Sequence, residues 1–220
     1  MPVTMTRRAA LAATAAVPVT IAAPLPARAQ GGGDGPAMPR ARGFRLGGFE
    51  VTTILAGSVP REDPQSIFGM NVSAEEFAAV SRENFIGTEV AQFFFTPTVV
   101  NTGSEVILFD TGLNAAATTG ALADAGYAPQ DITHVVITHM HGDHIGGLTT
   151  ADGGLTYPNA AYLTGQVEFD AWAQTGNEGF EARVRPLAER MTFLGDGDAV
   201  TSGVTAMAAF GHTPGHMTYM

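Results

Sequence analysis

Three imidazoles and one carboxylate stand within six residues in the run His139-Met140-His141-Gly142-Asp143-His144. Imidazole nitrogen and carboxylate oxygen together suit zinc and its neighbours in the first transition row. At this spacing His139 and His141 can hold one ion, while Asp143 and His144 turn toward a second. The competing reading is a surface loop that happens to be rich in histidine. It must contend with a chain that holds only six histidines in 220 residues. Two more of the six stand in Gly211-His212-Thr213-Pro214-Gly215-His216. A lone histidine there would be structural; beside the first cluster, His212 reads as the third ligand of the first ion.

Each cluster needs an element to present it, and each follows an apolar run: Val135-Val136-Ile137 before the first, Val204 to Phe210 before the second. An apolar run that empties into a polar, glycine-containing segment reads as a buried strand followed by a loop. Between the clusters, Tyr157 to Ala160 leads a short strand, and helices are expected over 165–174 and 179–191. Ahead of the first cluster, Asn114 to Ala125 reads as a helix closed by Gly126. Further upstream, Phe44 to Leu55 alternates about Gly47-Gly48 and predicts a hairpin. Residues 57–72, punctuated by Pro60, Pro64, Gly69 and Asn71, read as a loop. Ser73 and Glu76 form a capping box ahead of a helix. Phe93-Phe94-Phe95 opens another strand, which Asn101 to Ser104 turns into the next. Strands first, then alternating helices and strands, suit sheets covered by helices, an α/β class.

The two clusters, H-x-H-x-D-H and a later G-H-T-P-G-H, resemble the signature of the metallo-β-lactamase-fold hydrolases. Val100 to Ser104 leading into Val106-Ile107-Leu108-Phe109-Asp110-Thr111-Gly112 is similar to that family's early hairpin and D-T-G turn. These segments look most like the branch of methyl parathion hydrolase and the quorum-quenching lactonases. The resemblance runs from about Phe44 to the last residue. It implies an αββα sandwich over 44–220 with two zinc ions at one edge, although manganese, cobalt or iron could take their place. Asp110 reads as a residue that orients an imidazole or braces the loop rather than ligating, and His216 as one that supports the site from outside the ligand set. Trp172 and Phe180 become candidates for the wall of an apolar substrate cleft, with Phe68 and Met70 behind them, although such residues more often pack a core. Glycines 142, 146 and 147 fit a loop that passes close to metal without bulk. His134 reads as a plain structural or exposed histidine ahead of its strand. In the family the strand after G-H-T-P-G-H leads to a bridging Asp and then a final His. This chain stops at Met220 within that strand, so the resemblance implies a domain that is incomplete at its C-terminus and poorly folded or inactive on its own.

Composition narrows the partners. The formal charge is −10 and every basic residue is arginine, so the chain lacks the basic face that nucleic acid requires. Hydrophobic residues make up 45% and charged residues 15%, enough for one substantial core. There is no cysteine, which excludes disulfides, thiolate zinc sites and a cysteine nucleophile. At the N-terminus, Arg7-Arg8 precedes a soft apolar stretch to Leu25 and then Ala27-Arg28-Ala29. That order matches a twin-arginine export signal over 1–29, with periplasmic or secreted localisation as its consequence. The stretch contains Pro18 and Pro24 and is too weak for a stable membrane span. Residues 30–43, rich in Gly and Pro, read as a flexible lead-in.

Three functions fit these residues. A zinc ion on His139, His141 and His212 would acidify a water to give a hydroxide, with Asp143 orienting it and passing a proton to the leaving group. The favoured substrate is a lactone or an organophosphate-type ester. A second hydrolytic reading opens a β-lactam or cleaves a thioester. The third is a metal-binding chain without catalysis. Expected partners are the small-molecule substrate and the twin-arginine export machinery; a homodimer is compatible with the chain, but no patterning selects it.

Overall fold

The computed structural model describes residues 39–220. The export signal expected over 1–29 lies outside the described residues, as does the first part of the lead-in. The lead-in ends earlier than expected, because strand β1 (Ala41–Leu46) takes in Ala41, Arg42 and Gly43. Their backbones pair with β2 (Phe49–Ile54) from Ala41 opposite Ile54 to Leu46 opposite Phe49. The Gly47-Gly48 break makes the hairpin turn, with Gly47 at a positive φ of 59° that suits glycine.

The expected loop over 57–72 is instead partly ordered: β3 (Gly57–Glu62) and a single helical turn, α1 (Gln65–Phe68), lie within it. The partner of β3 is β4 (Val90–Phe95), which follows helix α2 (Ala74–Glu83). A strand with so distant a partner leaves no hairpin signal, and Pro60 hides it further. The two strands form a separate two-stranded ribbon, which offers the edge position where proline is tolerated. Phe93 to Phe95 therefore close β4 rather than open a strand of the main sheet. Of the expected capping box the Ser73 half is present, its Oγ accepting the Glu76 N–H at 3.2 Å.

Next come β5 (Thr98–Asn101), β6 (Val106–Phe109), α3 (Ala115–Asp124), β7 (His134–Ile137), α4 (Gly142–Ile145) and β8 (Ala161–Gly165). Helices α5 (Gln166–Trp172) and α6 (Glu178–Arg183) precede β9 (Met191–Leu194), β10 (Ala199–Thr201), β11 (Val204–Ala208) and β12 (Met217–Tyr219). The helix expected over 179–191 breaks after Arg183 into a 3₁₀ segment, Arg185–Arg190, where Pro186 removes an N–H and crowds the preceding turn. His134 opens β7 rather than preceding it, its Nδ1 lying 2.9 Å from the Thr133 hydroxyl.

A seven-stranded mixed sheet runs β1-β2-β5-β6-β7-β8-β9, antiparallel through β6 and parallel from β6 to β9. Its residues alternate between two apolar clusters, as the two-residue period of a strand requires. Val99, Leu108, Val135 and Ile137 face helix residues Leu122, Phe169 and Phe180 together with Val184 just past α6. Val100, Ile107, Val136 and Leu163 face the small antiparallel sheet β10-β11-β12 through Val200, Val204, Ala206 and Met217. Each fully buried Ile or Leu among them contributes roughly 1.5–3 kcal/mol. The described residues thus build helix, large sheet and small sheet as successive layers of the expected α/β sandwich. Among them, no helix is long and apolar enough to cross a membrane.

Candidate metal centre

The parallel strand β7 ends at Ile137, and the chain leaves the sheet edge through Thr138 into the first histidine cluster. The D-T-G turn after β6 holds this loop from below. Asp110 accepts the Thr138 N–H at 2.9 Å and the Thr138 hydroxyl at 2.9 Å. Thr111 donates both its N–H, at 2.8 Å, and its hydroxyl, at 2.7 Å, to the carbonyl of His144. Asp110 has a positive φ of 61°, a region where Asp is among the better-tolerated residues. Two of the three glycines serve this packing. A Cβ on Gly146 would lie 2.1 Å from the Leu113 carbonyl oxygen, and one on Gly147 would lie 2.2 Å from that of Thr111, whereas a Cβ on Gly142 would meet nothing within 4 Å.

The second cluster arrives between β11 and β12. Among the described residues, His139, His141 and His212 form one group whose ligating atoms all lie within 4.8 Å of one another. His139 Nε2 is 3.0 Å from His141 Nδ1, His141 Nδ1 is 3.1 Å from His212 Nε2, and His212 Nε2 is 3.1 Å from His139 Nε2. Three nitrogens bound tetrahedrally to zinc at about 2.0–2.1 Å would stand roughly 3.3 Å apart. The triangle is therefore nearly the size an ion requires, and lone pairs brought this close repel unless a cation sits among them. His139 is buried, His141 half-buried and His212 exposed, so the triangle has a closed floor and an open rim.

Hydrogen bonding selects the ring nitrogens. The Thr138 hydroxyl donates to Asp110, so it accepts from His139 Nδ1–H at 3.0 Å and leaves Nε2 with its lone pair toward the triangle. His144 likewise gives its Nδ1–H to Asp110 Oδ2 at 2.7 Å. Asp110 thus orients an imidazole. His144 Nε2 lies 3.4 Å from Asp143 Oδ2, so these two stand side by side, but the described residues add no third ligand to them. His216 stacks edge-on to His139 with ring centroids 4.9 Å apart, beside the triangle and outside it.

The electrostatics follow. Burial, then the neighbouring imidazoles, pushes His139 down to about 3, which keeps it neutral and able to ligate. His141 is lowered mainly by burial, partly offset by Asp143 and Glu168. Burial also works against a charged His144, yet hydrogen bonds to Asp110 and Asp143 outweigh it and raise this group to about 9. Asp143 lies below the usual carboxylate range, chiefly through its hydrogen bond with His144.

Trp172, near the end of α5, stands half-buried with its ring 5.6 Å from that of His141. Phe180 is 0% exposed and packs 5.3 Å from Phe169, so it is core and presents no surface to a substrate. Phe68 and Met70 are exposed, with Phe68 against Phe93 of the β3–β4 ribbon. That ribbon also sends Phe94 and Phe95 to a cavity of about 130 Å³ shared with Asp110, Asp143 and His144. Sequence reasoning missed Glu168 in the first turn of α5. It is 0% exposed and receives hydrogen bonds from both histidine loops. Its only sequence signal is an acid set between Val167 and Phe169 in a short apolar helix.

Comparison with known proteins agrees with this geometry. An N-acyl homoserine lactonase from Bacillus sp is 30% identical over 99 residues, which is 45% of this chain and 36% of the relative. The match thus spans about a third of that curated protein. The dizinc quorum-quenching lactonase AidC, solved with a product, shares the fold at a TM-score of 0.71 and 23% identity, over 81% of this chain and 69% of AidC. The hydrolase AbOPH does so at 0.72 and 21%, over 83% of this chain and 69% of its own. The profile of the metallo-beta-lactamase superfamily matches residues 96–219. That span is more than half of the chain, reaches from just before β5 to the end of β12 and takes in both histidine clusters; the chain belongs to the metallo-β-lactamase superfamily.

Proposed function

We propose that this chain carries the metal centre of a zinc-dependent hydrolase that opens lactones. The observation behind the chemistry is the triangle of His139, His141 and His212 nitrogens at 3.0–3.1 Å. The substrate class is taken from the Bacillus lactonase, the relative matched in sequence. His139, His141 and His212 would hold one ion, and Asp143 with His144 would face a second. Zinc, when bound, supplies Lewis acidity that polarises an ester carbonyl and brings the pKa of water toward neutrality.

The chain's own residues do the rest. Asp143, held ionised beside His144, can accept a proton from the attacking water at Oδ and return it to the leaving alkoxide. Asp110 holds the proton on His144 Nδ1, so Nε2 is the nitrogen that would give up its proton to face a metal. The Trp172 ring beside His141 gives an apolar surface for the acyl part of a substrate. The test offers zinc-loaded protein an acyl homoserine lactone, an aryl phosphotriester and nitrocefin. Lactone turnover that disappears on chelation and returns with zinc is expected; fast nitrocefin turnover with an inert lactone would overturn the substrate assignment. Phosphotriester turnover above that of the lactone would move the assignment to organophosphate esters.

We also propose export by the twin-arginine route, supported by Arg7-Arg8, the apolar stretch to Leu25 and Ala27-Arg28-Ala29. Replacing Arg7 and Arg8 with Lys should leave the protein in the cytoplasm; unchanged fractionation would sink this.

A further inference from the structure

The side chain that joins the two histidine loops is neither a ligand nor one of the residues expected from the motifs. Glu168 is 0% exposed, and both of its carboxylate oxygens are engaged. Oε1 accepts the backbone N–H of Met140 at 2.9 Å, the residue between His139 and His141. Oε2 accepts the Thr213 hydroxyl at 2.8 Å and the Gly215 N–H at 2.9 Å, on the segment that follows His212. One carboxylate thus receives donors from loops more than seventy residues apart in sequence. Two independent features show that the contact is built for closeness. A Cβ on Gly215 would lie 2.1 Å from the Glu168 amide nitrogen, so only glycine lets this loop reach α5. A Cβ on Gly165, the residue before α5, would lie 2.8 Å from Met217 Cγ and 3.1 Å from the Gly215 carbonyl oxygen.

A buried carboxylate costs more than a buried apolar side chain unless its hydrogen bonds are satisfied. No Arg, Lys or His pairs with Glu168 among the described ion pairs. Its bonds go instead to backbone and hydroxyl groups next to the three histidines. We infer that Glu168 is a positioning residue: by holding the Met140 and Gly215 amides it sets the spacing of His139, His141 and His212, and thereby the metal affinity of the triangle. The inference rests on the reading of that triangle as a metal centre.

Glutamine in its place has one acceptor oxygen. Its amide nitrogen would face either the Met140 N–H or the Gly215 N–H, so one loop must let go. The experiment titrates chelator-treated wild type and Glu168→Gln with cobalt(II), reading the visible absorption and a competition Kd. Substitutions of groups that orient metal ligands typically cost 10–100-fold in metal affinity, and a loss in that range with an altered cobalt spectrum is expected. Tyr162→Phe serves as the structural control. It removes a buried 2.9 Å hydrogen bond to the Tyr157 carbonyl, and it should lower Tm and leave cobalt binding unchanged. Should Glu168→Gln fail to fold, Thr213→Val removes a single bond at nearly constant volume and should weaken cobalt binding several-fold. Wild-type affinity and spectrum in the folded Glu168→Gln, or in Thr213→Val if that variant alone folds, overturns the inference. A wild type that takes up no cobalt overturns the metal reading and this inference together, while a wild type that binds cobalt but opens no lactone overturns only the substrate assignment.

Discussion

Replacing Asp110 with Asn changes one atom and tests how the D-T-G turn prepares the histidine loop. The backbone should not object, because Asn tolerates a positive φ at least as well as Asp, and Asp110 sits at 61°. Besides the Thr138 hydroxyl at 2.9 Å, the side chain has a donor on each oxygen to meet, the Thr138 N–H on Oδ1 at 2.9 Å and the His144 Nδ1–H on Oδ2 at 2.7 Å. An amide oxygen can satisfy only one, and its NH₂ then faces the other. With the oxygen kept on Thr138, the NH₂ can only donate to His144 Nδ1, so the neutral ring carries its proton on Nε2, the atom that would face a metal. His144 is held at about 9 against an ordinary 6.5, by Asp110 and Asp143 together and in opposition to burial. That gap corresponds to about 3 kcal/mol at ~1.4 kcal/mol per unit. The gap is what remains after burial has opposed it, and Asp110 is the nearer carboxylate, 2.7 Å against 3.4 Å, so at least about 2 kcal/mol is assigned to it, within the range for charged hydrogen bonds. In chelated protein, the His144 ring followed by nitrogen-detected NMR should titrate roughly 1.5 units lower in Asp110→Asn. Zinc affinity should fall by about 10–100-fold. A His144 that still titrates near 9 in the variant would refute the reasoning.

Two further outcomes follow from the same geometry. Gly215→Ala should cost roughly 1–3 kcal/mol or more, because its Cβ meets the Glu168 backbone at 2.1 Å, whereas Gly142→Ala has open space and should be neutral or stabilising; thermal melts of the pair decide. Chelated protein should be most stable near pH 6.5. His144, raised to about 9, contributes stability that is present below 6.5 and lost as pH rises through about 9, while His139, lowered to about 3, withdraws stability as pH falls from 6.5 toward 3. Urea midpoints between pH 4 and 10 should therefore show a maximum, and excess zinc should flatten it.

Much of the site was legible because its residues are local. His139, His141, Asp143 and His144 are neighbours in sequence, and an apolar run ahead of each cluster already places the loops at a strand edge. A cap written in nearby residues was readable too, as with Ser73, whose Oγ accepts the Glu76 N–H at 3.2 Å. What stayed hidden depends on partners far along the chain. The β3 strand carries Pro60 and pairs only after two helices have intervened, so nothing local distinguishes it from a loop. Phe180 and Trp172 are both aromatic and both helical. Only the packing of α6 on Phe169 sends one into the core while the other stands beside His141. Glu168 was invisible for the same reason, since its three donors come from two other loops.

The central claim is that His139, His141 and His212 bind a metal ion together. The direct measurement is zinc per chain by mass spectrometry after dialysis against buffered micromolar zinc, for wild type and for His212→Ala, which removes the one ligand supplied by the second loop. At least one tightly held zinc in the wild type, lost or much weakened in the variant, is the predicted result. A wild type that holds no zinc, or a variant that holds as much as the wild type, would contradict the account.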